Sequence, residues 1–257
     1  MQSDPWSSGR MYWLGIALVG AAIGYLGGLF GKGGAAIATP LLAAMGVPPI
    51  VAVASPLPAT IPGTLVAYDR YRRGHYTEAR VVRWSLAVGV PATILGALAS
   101  YWVGGGVLVL ATDVIVAALG LRIVLTGAQH EADDTPEPTL GTGRLVTVAF
   151  TVGFLAGLLA NSGGFLLVPL YLAVLALPIR RALACSLAVA AALAIPGTLV
   201  HAALGHIDWK VAVVFGIASI PLSNLGARTA LAVSPAKLER FYGAGLLTLG
   251  TVLLVLH

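Results

Sequence analysis

Apolar runs follow one another along almost the whole chain, at residues 11–30, 35–46, 50–71, 79–102 and 105–126, then at 144–160, 164–176, 180–204, 209–231 and 237–256. Most are long enough to cross a hydrocarbon core of about 30 Å. Of the 257 residues, 58% are hydrophobic and only 10% charged, with a mean hydropathy of +0.92. A soluble domain of this size needs a far larger charged exterior. The sequence therefore predicts an all-α polytopic protein of the inner cell membrane. No stretch between the runs is long enough for a separate soluble domain. No small-residue cleavage site follows the first run, which is expected to be a retained helix rather than a signal peptide.

Charge and cysteine content narrow the function. The lone Cys185 rules out an internal disulfide and argues against a thiolate metal cluster. The formal net charge is +5, but most arginines sit in short loops, where they orient the chain in the membrane. Nucleic acid is not the expected partner; the bilayer is. No cofactor is implied, coupling to protons or another ion stays open, and a homodimer is compatible with the sequence.

The run order suggests a duplication: a tail 1–10, a repeat 11–126, an acidic linker 127–143 and a second repeat 144–257. "GYLGGLFGKGGAAIATPL" (24–41) aligns without gaps on "GFLAGLLANSGGFLLVPL" (153–170). "IPGTLV" occurs at 61–66 and again at 195–200, with a few residues inserted before the second copy. Gly74-His75 answers Gly205-His206, and Pro91…Gly96-Ala97 answers Pro221…Gly226-Ala227. Each repeat holds an odd number of crossings, so the two should be inverted. The arginines agree: Arg70, Arg72, Arg73, Arg80 and Arg83 flank one connection of the first repeat. In the second repeat Arg180-Arg181, Arg228, Lys237 and Arg240 flank other connections. This alternation fits inversion under the positive-inside rule, with both termini outward and the linker in the cytoplasm.

The second run of each repeat is short. A helix over 35–46 would span about 18 Å, and "GKGG" or "NSGG" separates it from a full-length first helix. Each pair reads as a re-entrant helix and half-helix, with its turn at membrane depth. Such turns persist only beside protein or water, and paired broken helices in inverted repeats point to a transporter's central site. Two half-helix N-termini and Lys32 make a pocket for an anion. The alternative is that the glycines serve only close helix packing, but packing does not explain a lysine. Gly31, Lys32, Gly33 and Gly34 on one side, with Asn161, Ser162, Gly163 and Gly164 on the other, form the expected lining.

These motifs resemble the sulfite exporter TauE/SafE family. "GFLAGLLANSGGFLLVPL", Cys185-Ser186 and "HAALGHIDW" (201–209) look like its second-half pattern. "GKGGA", Ala54-Ser55 and "YRRGHY" are similar to the first-half pattern but more divergent. The resemblance implies secondary transport of small sulfur oxyanions or organosulfonates, generally outward, without an ATP-binding domain. Lys32, where the family usually has an apolar residue, and Asn161-Ser162, in place of a Gly-rich triplet, depart from the pattern inside the proposed pocket. Ser55 and Ser186 fall at the family's hydroxyl position, where they could donate to sulfonate oxygens or bond their own backbone. His201 matches its histidine and could titrate near neutral pH, or sit at the interface near Trp209. Asp113 is the only carboxylate well inside an apolar run, a coupling-proton site or a protonated structural acid. His75, His206 and Asp208 read as loop residues, and Arg122 as a snorkelling one.

Two other functions compete. An intramembrane enzyme would need a nucleophile–base pair, an HExxH-type metal pair or a carboxylate dyad, and none is visible. An anion channel would use the same parts as a transporter.

Overall fold

The computed structural model of the protein describes residues 9–31, 35–99, 141–158 and 164–256, with isolated positions 118, 121 and 125. They form helices Arg10–Leu29 (α1), Ala35–Ala44 (α2), Pro49–Ala54 (α3), Leu57–Arg73 (α4), Ala79–Ala99 (α5), Thr142–Leu158 (α6), Gly164–Ala173 (α7), Ile179–Ala203 (α8), Trp209–Ala232 (α9) and Pro235–Leu256 (α10). No strand occurs among the described residues. Four helical stretches, Arg10–Leu29, Val51–Arg73, Ile179–Ala203 and Trp209–Ala232, are long and apolar enough to cross a membrane. The chain is an all-α polytopic membrane protein. As the short runs predict, α2 and α7 have only 10 residues each, about 15 Å of helix.

One break was not expected. The run 50–71 divides at Ser55-Pro56 into α3 and α4. Pro56 and Pro58 lack N–H groups, so the helical bonds to the Ala52 and Ala54 carbonyls cannot form. Proline leaves hydropathy almost unchanged, which is why the run looked continuous.

Helix ends set the register between the two halves of the sequence. At the end of α4, the His75 N–H donates to the Arg72 carbonyl (3.0 Å) and the Tyr76 N–H to Tyr71 (3.2 Å). At the end of α8, the Gly205 N–H donates to Ala202 (3.2 Å) and the His206 N–H to His201 (3.0 Å). Both are left-handed caps, with φ +58° at His75 and +70° at Gly205. His75, not Gly74, is therefore the counterpart of Gly205. At that same constant spacing Pro49 answers Ile179, Arg73 answers Ala203, and Pro91 answers Pro221. No insertion lengthens α8; its IPGTLV instead lies about one helical turn further along than the copy in α4.

Packing crosses between the halves. α1 lies along α9, and α6 along α5. The α1–α9 approach leaves no room for a Cβ: one at Gly24 would strike the Ser219 backbone, and one at Gly28 the Ser223 carbonyl. In the other pair a Cβ at Gly153 would strike the Gly89 backbone. Gly24 and Gly153 are aligned in the repeat, and Gly89 stands to Ser219 as Pro91 stands to Pro221. The first part of α8 is the centre of the molecule: Ala182 to Leu187 are all fully buried, packed against α7, α6 and Tyr71. At the rim, Trp209, Val213, Ile217 and Leu225 leave one stripe of α9 exposed, the apolar face a lipid-exposed helix presents.

Candidate functional site

The turn after α1 is seated on the opposite half. Gly31 has φ +66°, a conformation that glycine adopts without steric cost. A Cβ there would lie 2.8 Å from Leu183 Cδ2 on α8 and 2.9 Å from Val168 Cγ2 on α7. The buried Ser186 hydroxyl donates to the Gly31 carbonyl at 2.9 Å. The structure thus unites two of the expected lining residues, Gly31 and Ser186, beside the second half-helix, which Gly164 opens. Lys32, Gly33, Gly34, Asp113, Asn161, Ser162 and Gly163 lie outside the described residues.

Ser55 and His201 are elsewhere. Fully buried Ser55 accepts the Asp208 N–H at 3.0 Å, and Asp208 caps α9 by accepting the Lys210 (2.8 Å) and Val211 (3.3 Å) N–H groups. At the matching place in the other half, the Glu78 N–H donates to Cys185 Sγ at 3.4 Å. Ser55 therefore corresponds to Cys185 rather than to Ser186. The similar dipeptides Ala54-Ser55 and Cys185-Ser186 suggested the wrong pairing by one residue. His201 Nδ1 lies 3.2 Å from His206 Nδ1, about 22 Å along α8 from Ser186 at about 1.5 Å per residue. Asp208 is thus more than a loop residue, and the two histidines form a pair at the end of α8. Among the described residues no group of three His, Cys, Asp or Glu could hold a metal ion.

A second feature had no clear sequence signal. Between α1, α2, α4 and α9 lies a cavity of about 20 Å³ whose polar lining includes Thr60, Ser219 and Ser223. That is room for about one water. Its hydroxyls donate to backbone carbonyls: Thr60 to Pro56 (3.0 Å), Ser219 to Gly216 (3.4 Å), and Ser223 across to Gly63 on α4 (2.8 Å). Further along the same two helices, Arg70 Nε donates to Asn224 Oδ1 at 2.7 Å, beside an open cavity of about 400 Å³. Asn224 is an amide in the apolar stretch "ASIPLSNLGA", a signal that reading for charges passes over.

The arginine connections carry structural bonds as well as charge. Arg180 donates to the Tyr76 hydroxyl and to the carbonyls of Leu231 and Val233 at the end of α9, each at 3.1 Å. A cation suits that helix terminus. Arg181 pairs with Glu78 at 3.6 Å. These contacts join the starts of α5 and α8 to the end of α9, the face that the positive-inside rule assigns to the cytoplasm.

The Sulfite exporter TauE/SafE family model matches residues 16–253. A probable membrane transporter protein of Xylella fastidiosa (strain 9a5c) is 28% identical over 87% of this chain and 88% of its own length. The probable membrane transporter protein YunE of Bacillus subtilis (strain 168) is 23% identical over 85% and 87% respectively. No solved structure gives a significant match. With nearly all its helices inside the matched region, the chain belongs to the sulfite exporter TauE/SafE family and is a membrane transporter of that type.

Proposed function

We propose that the protein is a secondary transporter that exports small anions, sulfite or organosulfonates, by alternating access between two inverted repeats, 11–126 and 144–257. The observation that carries this reading is the Gly31 turn, held by Ser186 against α7 and α8 of the opposite half. A transport site between repeats requires that kind of exchange. The reciprocal packing of α1 on α9 and α6 on α5 supports the inversion. In this scheme Lys32 supplies the full positive charge beside two half-helix N-termini, and Asp113 is the coupling acid.

Sulfite counterflow in proteoliposomes tests the proposal. A transporter loaded with unlabelled sulfite accumulates labelled sulfite transiently and saturates. Flux without counterflow or saturation would mean a channel, and no flux with sulfite, sulfate, sulfonates or carboxylates would remove the anion reading.

A further inference from the structure

The buried hydroxyl cavity and the open basic cavity share two walls. Pro56, just before α4, with Ala59, Thr60 and Gly63 of α4 and Phe215, Ser219 and Ser223 of α9 line the two shared walls of the first; Leu65, Val66, Asp69, Arg70 and Arg73 of α4 and Asn224 of α9 line the second. Only two cross-seam bonds appear among the described residues between them, Ser223 to Gly63 at 2.8 Å and Arg70 to Asn224 at 2.7 Å. We propose that the seam between α4 and α9 is the route by which a small oxyanion reaches the buried cavity, with Arg70 and Arg73 as its collecting mouth and the Arg70–Asn224 bond as its bar. The proposal rests on the anion-transport reading and adds to it a path and a gate.

Charge supports the direction of selection. Asp69, the carboxylate of the mouth, pairs with Arg73 at 2.7 Å and with Arg72, which lies outside the lining, at 3.1 Å, so the lining carries two arginines, Arg70 and Arg73, against one acid. A basic, partly enclosed mouth concentrates anions and repels cations. Size supports the bar: about 20 Å³ holds about one water, so an oxyanion enters only when the seam widens. The opposite seam, between α5 and α8, also packs and has a hydroxyl, Thr93, at the place of Ser223, but it has apolar residues where the mouth has Arg70 and Asn224. Ile94 stands for Asn224, Leu193 for Gly63 and Val200 for Arg70. The basic mouth is one-sided.

The test needs no transport. In a Cys185→Ser background, which keeps an acceptor for the Glu78 N–H, Thr60→Cys places a thiol in the buried cavity. Its labelling by sulfonatoethyl methanethiosulfonate, an anion, is compared with that by the trimethylammonium analogue in phosphatidylcholine vesicles, each rate corrected for reactivity with a free thiol. The expected preference for the anion is about 10-fold or more. Arg70→Gln should cut that preference about 5-fold, whereas Arg70→Lys, the check on folding, should keep most of it. Asn224→Ala should raise both rates several-fold while the preference stays. An unchanged preference in Arg70→Gln, or no acceleration in Asn224→Ala, overturns the route even if sulfite counterflow is present. An Arg70 effect that appears only with phosphatidylglycerol would assign the mouth to a lipid headgroup and overturn it equally. Absent counterflow with the labelling pattern intact would fault the transport reading alone.

Discussion

Gly31 is a position where one hydrogen atom decides the local structure. Its φ of +66° and the 2.8 Å and 2.9 Å approaches of Leu183 and Val168 both reject a side chain. Gly31→Ala should cost about 2–5 kcal/mol, from a left-handed residue at about 1–2 and overpacking at about 1–3, read as a fall in thermal stability in detergent. Ser186→Ala removes the buried bond to the Gly31 carbonyl, a loss of about 1 kcal/mol for that bond. The next residue, Lys32, is predicted to act on ligand rather than on fold. Lys32→Gln should weaken sulfite or sulfonate binding by about 1.5–3 kcal/mol, the range for a charge-assisted bond, with the melting temperature of the empty protein preserved. Wild-type affinity in that variant would make the lysine an anchor only. Gly31 and Ser186 stood out in the sequence because each breaks an apolar pattern, and the structure brings the two together. Thr60, Ser223, Arg70 and Asn224 did not, because nothing local says that residues so far apart in sequence meet.

Among the helices, boundaries were read well and pairings less well. Long apolar runs end where Gly, Pro and charge gather, so α1, α2, α7 and α9 fall within a few residues of expectation. The Ser55-Pro56 break stayed hidden because two prolines in an apolar run leave its hydropathy intact. The repeat register was misread at His75 and at Ser55, since residue identity was matched where cap geometry decides. That geometry makes a prediction of its own: His75 holds φ +58° without being glycine. His75→Gly should relieve left-handed strain of about 1 kcal/mol, partly offset by the greater freedom of the unfolded chain. The expected result is unchanged or slightly raised stability, whereas His75→Val should lower it. Gly24→Ala should force α1 away from the Ser219 backbone and cost about 1–3 kcal/mol, again by thermal unfolding.

At the scale of the molecule, the reciprocal packing of α1 on α9 and α6 on α5 matches an inverted pair, and topology is the measurement that decides it. Single cysteines near residues 10 and 256 should both be modified from outside intact cells, and one in 127–143 only after permeabilisation. Termini on opposite sides would end the inverted-repeat proposal. If Asp113 carries a coupling proton, Asp113→Asn should abolish pH-driven flux and leave substrate binding nearly intact; unchanged pH dependence would return it to a structural role. The burial of α8 has a consequence for how the protein is made. α8 is long and apolar enough to cross a membrane, with an 18-residue stretch of mean hydropathy 2.1, yet Ala182 to Leu187 end up surrounded by protein. Lipid contacts made at insertion must later be exchanged for helix contacts during assembly. Enlarging Ala182 or Ala184 to leucine would spare the first step and block the second, so a cell would accumulate an inserted but unassembled chain, exposed to membrane proteases.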